Sequence, residues 1–102
     1  MNDFIYLAYF FGGAFLANGI PHFLQGISGN RFQSPFASPP GVGESSPLVN
    51  AVWGMLNFVI SYLLLDIGEF DPGPGLDLYI AALGFVLMAL VLAWHFGRVR
   101  NP

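Results

Sequence analysis

The chain has 102 residues, 55% of them hydrophobic and 9% charged, with a formal net charge of −3 at pH 7. A soluble domain carries about 25% charged residues, and a soluble fold of this length buries only about 60–70% of its unfolded surface, so so apolar a chain calls for lipid as its solvent. The lack of cysteine excludes a disulfide framework, a thiolate metal site and a cysteine nucleophile, and an acidic balance with no lysine excludes the basic patch that nucleic acid requires.

The first apolar stretch runs from Phe4 to Leu24. Its length, about 20 residues, crosses a hydrocarbon core of roughly 30 Å at 1.5 Å per residue. It opens on "MND", with no basic n-region and no A-x-A cleavage site, so a retained helix is expected rather than a removed signal peptide. Phe11, Phe15, Asn18 and His22 share one helical face, with Gly12 and Gly19 beside it. The stretch closes on "LANGIPHFLQG". Pro21 has no amide hydrogen to give the carbonyl of Ala17, and a freed carbonyl in lipid needs another partner. The sequence therefore predicts that the helix ends there and gathers hydrogen-bonding groups.

Residues 25–47 form a long loop containing "SGNRFQSPFASPPGVGESSP", which holds four of the eight prolines and shows neither helical nor strand periodicity. Loops longer than about 12–15 residues are functional or disordered. Phe32 and Phe36 argue for order, because a solvated linker has little use for them. The loop is expected to fold back over the helix ends. Ser46 suits an N-cap and Pro47 the first helical turn. Gly41, Gly43, Ser45 and Ser46, together with Arg31, make a candidate anion or lipid-headgroup site at that helix start, although plain capping explains the serines as well. No G-K-[ST] follows, so this is not a Walker loop.

The second stretch, about 48–67, carries Asn50, Gly54, Asn57 and Ser61 at spacings of 4, 3 and 4, which is one helix face. "FDPGPG" then reads as a proline–glycine turn. The third stretch, about 76–96, places Ala81, Gly84, Met88, Val91 and His95 on one face. Helices in lipid associate through such small residues and through interhelical hydrogen bonds.

Charge sets the expected orientation. Arg31 lies in the first loop and Arg98 and Arg100 in the tail, so three spans bring all three arginines to one side. Asp3, Asp66, Glu69, Asp71 and Asp77 fall on the other, and Glu44 alone breaks the pattern. The positive-inside rule then puts the N-terminus outside and the C-terminus in the cytoplasm. Tyr6, Tyr9, Tyr62 and Tyr79 fall in the outer halves and Trp53 and Trp94 near the inner ends, where amphipathic rings meet headgroups. The expected fold is an all-α membrane protein, one domain over residues 1–102 with three transmembrane helices and an ordered proline-rich cytoplasmic loop. Its expected location is the cell inner (plasma) membrane, as a multi-pass protein.

In that arrangement His22 and His95 lie at one depth, close to Asn50 and Trp53. Asn18, His22, Asn50, Trp53, Asn57 and His95 thus form a candidate ligand-binding set. A histidine at a membrane interface, bonded to a carbonyl or to water, needs no further role. Two histidines from different helices are also the axial pair of a haem b. No third ligand and no Glu-x-x-His or His-x-x-x-His pair points to any other metal.

Gly19, Pro21, His22 and Phe23 give a Gly-x-x-His-Phe ending to the first helix, followed by the proline-rich loop. This layout, over about residues 10 to 65, resembles the DoxX-like small bacterial membrane proteins. The resemblance implies a bacterial inner-membrane protein of a group whose function is sometimes quinone-linked. Those proteins usually have four helices where this chain has three, and the resemblance fixes no catalytic residue.

The leading functional expectation is action by association, as an accessory or scaffolding subunit or a self-associating bundle. Its partners would be the lipid bilayer and either further copies or a larger membrane complex, with no nucleic acid. A small oligomeric transporter or channel is the first alternative, weakened because no ionisable residue lies at mid-membrane. A redox or ligand-binding membrane protein using His22 and His95 is the second. No nucleophile–base pair favours an enzyme.

Overall fold

Helix α1 spans Asp3–Ile27 in the computed structural model, which describes residues 3–102. It runs through Pro21 and ends three residues beyond the predicted Leu24. The proline ring's fixed φ is already helical and removes a single intrahelical bond, while packing beyond it holds the next turn. Gly26 lies so close to Ala51 and to the carbonyl of Pro47 that a Cβ would not fit. The chain leaves the helix at Gly29, whose φ of 77° is the left-handed conformation that favours glycine, and Asn30 N–H donates to the Gln25 carbonyl at 2.9 Å.

The loop that follows is ordered around a short antiparallel ladder. Phe32–Gln33 (β1) pairs with Glu44–Ser45 (β2), Phe32 opposite Ser45 and Gln33 opposite Glu44. Two residues per strand are too few for alternation to register in sequence. Phe32 is buried and seals the loop against the helices, whereas Phe36 is exposed and lies edge-on to Trp53 at 5.1 Å. Gly43 packs against the backbone of Ser38 with no room for a side chain.

Helix α2 spans Pro47–Asp66 and begins as the sequence predicts. Ser46 is extended and its Oγ accepts from Val49 N–H at 3.2 Å, with Pro47 in the first turn. Its buried residues are Asn50, Gly54, Asn57 and Ser61, the face marked by the 4-3-4 spacing. Past α2, Glu69 adopts φ 56°, and Phe70 turns back onto Tyr9 at 5.1 Å. In the turn before α3, Asp71 Oδ1 accepts from Gly73 N–H at 2.9 Å and Asp77 Oδ2 from Asp71 N–H at 3.1 Å.

Helix α3 spans Leu76–Arg100, one turn beyond the predicted end at Phe96. Only Ala81 and Gly84 of its expected stripe are buried; Met88 is half-buried and Val91 is exposed. The cause is a close crossing near one end. A Cβ on Gly13 would overlap the Ala81 carbonyl, and one on Gly84 would overlap the Phe10 carbonyl. Beyond that crossing an apolar groove separates the two helices.

Helix α1 is central and packs against both α2 and α3, which make no comparable contact with each other. Its buried side is built from Gly12, Gly13, Ala14, Ala17, Gly19 and Gly26, together with Tyr9 and His22. Phe11, expected on the inner face, is instead exposed. Glycine and alanine let backbones approach, and in lipid the phenylalanine loses nothing by facing the acyl chains. Tyr9, expected in an interfacial belt, is fully buried and donates its hydroxyl hydrogen to the Gly68 carbonyl at 2.5 Å. All three helices are long and apolar enough to cross a membrane, with mean hydropathies of 1.3, 1.8 and 2.4.

Candidate functional site

A ladder of polar side chains climbs the α1–α2 seam. Ser61 Oγ donates to the Gly12 carbonyl at 2.6 Å. Asn18 Nδ2 donates to Asn57 Oδ1 at 2.9 Å, and Asn57 Nδ2 donates to the Trp53 carbonyl, one turn back, at 2.8 Å. Small residues let the backbones close on these bonds: Gly54 sits against the backbone of Phe23, and Gly19 against the Gly54 carbonyl and the Phe58 ring. In lipid each of these polar groups would otherwise lack a partner.

The ladder ends at Asn50, which is fully buried. Its Nδ2 faces three carbonyls, those of Phe32 at 3.0 Å and of Ser45 and Ser46 at 3.2 Å each, which fixes the amide orientation. Its Oδ1 must then accept, so His22 Nδ1–H donates to it at 2.9 Å. That tautomer leaves His22 Nε2 with a lone pair. The imidazole is enclosed edge-on by Phe32, Trp53 and Phe96, at centroid distances of 5.5, 6.4 and 5.9 Å.

His95 reaches the same place from α3. Its Nε2–H donates to the Gly41 carbonyl at 2.7 Å, tying the tip of the loop to the third helix. Between these elements lies a pocket of about 240 Å³, lined by Asn18, His22, Trp53, His95 and Phe96 and by Gln33, Ser34, Pro35 and Gly41 of the loop. No charged side chain lines it.

Several polar groups at this pocket have no protein partner among the described residues. Arg100 donates to Gln33 Oε1 at 2.9 Å, which leaves the Gln33 amide hydrogens free. Asn18 uses one amide hydrogen on Asn57, and its Oδ1 is free. Trp53 Nε1 is the one sealed side-chain polar atom without a hydrogen bond among the described residues. His22 Nε2, also unbonded, is not sealed, although the residue as a whole is only 3% exposed. It therefore opens onto the pocket that its ring lines.

The two histidines thus meet at one pocket without bonding each other. The space does not suit a haem held between them. Phe96 packs against both imidazoles, and His95 Nε2 is committed to the loop. Among the described residues no group of three His, Asp or Glu side chains is placed to hold a metal ion.

Asn50 and Asn57 lie behind the pocket as its supports, not in its wall. The residues proposed for an anion make several internal bonds, and Arg31 stays exposed. Ser46 caps α2, Ser45 Oγ bonds Ser34 Oγ at 2.6 Å, the Gly41 carbonyl takes His95, and Arg31 reaches the Glu44 carbonyl at 3.5 Å. The one out-of-place acid is explained here, because Glu44 Oε2 lies 3.6 Å from Arg100 Nη1. Sequence reasoning missed Gln33, Ser34, Pro35 and Phe96. The loop residues follow no period, and Phe96 sat at an assumed helix end.

Comparison with protein-family models, with curated proteins and with solved structures found no match. The fold itself defines the class: a small all-helical protein with three helices able to span a bilayer and a polar pocket at the end where the loop folds back.

Proposed function

We propose that this is a multi-pass membrane protein of the bacterial inner membrane that binds a small neutral molecule at the His22–His95 pocket. The N-terminus would lie outside and the pocket at the cytoplasmic face. The observation that carries this reading is the unbonded lone pair of His22 Nε2, held in a fixed tautomer by Asn50 and opening onto an uncharged cavity. A ligand hydroxyl that donates to this lone pair in place of water contributes about 0.5–1.5 kcal/mol. The gathering of Arg31 and Arg100 around Glu44 supports the orientation. The shared layout with DoxX-like proteins is part of the same proposal.

The test is extraction of small molecules from protein purified out of its native membrane. A molecule present in near-equal amount with the wild-type chain, and lost from His22→Phe, is the expected result. Equal yields from both chains, or none from the wild type, would overturn it.

A second reading, association as a subunit or self-associating bundle, draws on one observation. Helices α2 and α3 flank α1 without packing on each other, so α3 buries little beyond Ala81 and Gly84. Native mass in mild detergent tests it, and a monomer extracted without partners would count against it.

A further inference from the structure

We infer that the pocket's ligand is a neutral, hydroxyl-bearing amphiphile whose single apolar tail lies in the groove between α1 and α3. The inference rests on the pocket being a ligand site. It adds the second cavity, a groove of about 330 Å³ lined by Ala17, Ile20 and Pro21 of α1 and by Phe85, Ala89 and Ala93 with Leu92 and Phe96 of α3. The ring of Phe96 belongs to both cavities, so polar pocket and apolar groove are neighbours across one side chain.

The groove exists because α3 carries alanine at 89 and 93 where it draws away from α1. Pro21 and Ala17 lie in its floor, at the place where the helix lacks one internal hydrogen bond. Its wall is almost wholly apolar, and Ala93 is exposed. A hydrocarbon chain suits that wall, and each buried CH₂ contributes about 0.8 kcal/mol against water.

The chemistry of the head follows from the pocket. His22 Nε2 and Asn18 Oδ1 are acceptors that want hydroxyl hydrogens, and the free Gln33 amide is a donor that wants a carbonyl or ether oxygen. No charged side chain lines the space, and an unpaired buried charge is strongly disfavoured. The space therefore favours an uncharged head over a fatty-acid carboxylate or a phosphate. The cavity, about 240 Å³, has room for a head on the scale of a glycerol ester.

The experiment uses the full chain in nanodiscs and three probes: 1-monooleoylglycerol, 1-monobutyrylglycerol and oleate. Saturable retention of the monooleoyl ester, at least tenfold tighter than oleate, is the expected result. Ala93→Phe fills the groove at an exposed position and should weaken the long ester at least tenfold while sparing the short one. His22→Phe should weaken both esters. If the short ester binds and needs His22, but Ala93→Phe leaves the long ester unchanged, the tail assignment falls and the pocket stands. Tighter oleate overturns the neutral head. If neither ester binds, or His22→Phe changes nothing, the amphiphile and this use of the pocket fall together.

Discussion

His22 Nδ1 lies 2.9 Å from Asn50 Oδ1, and this one bond joins the last turns of α1 to the first turn of α2 and, through the Asn50 amide, to the loop. Asn50 is the buried member on which the histidine tautomer, the β1–β2 ladder and the α2 N-terminus all depend. The consequences can be measured.

Asn50→Leu should be among the most damaging single changes. It removes the donor shared by the Phe32, Ser45 and Ser46 carbonyls and leaves His22 Nδ1–H unpaired. The expected loss is about 2–4 kcal/mol, because each buried group left unsatisfied costs about 1–3 kcal/mol. Thermal unfolding in detergent measures the loss, and hydrogen exchange should show the 32–45 ladder opening first. A variant as stable as the wild type would remove Asn50 from this role.

His22 and Asn50 should be energetically coupled and His22 and His95 nearly independent. The first pair shares a hydrogen bond; the second shares only a pocket and the Phe96 ring. Double-mutant cycles should give about 0.5–3 kcal/mol for His22→Gln with Asn50→Ala, and additivity within about 0.3–0.5 kcal/mol for His22→Gln with His95→Gln in the ligand-free protein. The reverse ranking would contradict the geometry.

Among the glycines, position decides tolerance. Gly13→Ala and Gly84→Ala place a methyl onto a facing carbonyl and should separate α1 from α3. Gly54→Ala meets the backbone of Phe23 and should open the α1–α2 seam. Gly68→Leu strikes Ile5 and the Tyr9 hydroxyl, so Gly68 is not a permissive position. Gly97, like Gly75, has no neighbour for a Cβ, and Gly97→Ala should leave melting unchanged. Disulfide trapping between cysteines on facing helices reads the separation directly.

Ser61→Ala removes the bond to the Gly12 carbonyl in the middle of the seam. Interhelical hydrogen bonds in membranes average only about 0.6 kcal/mol. The expected loss is of that order, well below that of Gly54→Ala. A larger effect from Ser61→Ala would mean that polar bonding, and not close packing, holds α1 to α2.

The proposed orientation is read by thiol labelling. Asn30 and Pro74 are exposed, at opposite ends of the helices. Ser45 is a poorer site because its hydroxyl bonds Ser34. Pro74→Cys should react with an impermeant reagent in intact cells and Asn30→Cys only after lysis. The opposite pattern would invert the topology.

The sequence alone determined the three spans, the start of α2 and its buried face. Those features are local: apolar length sets a span, Ser46–Pro47 sets a cap, and Asn50, Gly54, Asn57 and Ser61 fall on one face because a helix repeats every 3.6 residues. The tertiary structure decided what depends on neighbours. The stretch around Pro21 pointed to a helix end at Leu24, yet Gly26 meeting Ala51 keeps α1 helical to Ile27. Phe11 looked like an inner residue, yet glycines at 12 and 13 take that place because close backbone approach outweighs side-chain bulk in lipid. Sequence put His22 and His95 at one depth. Only the folded loop, with Gly41 bound to His95 and Phe32 set beneath His22, made their surroundings a single pocket, because contacts across tens of residues leave no periodic trace in the chain.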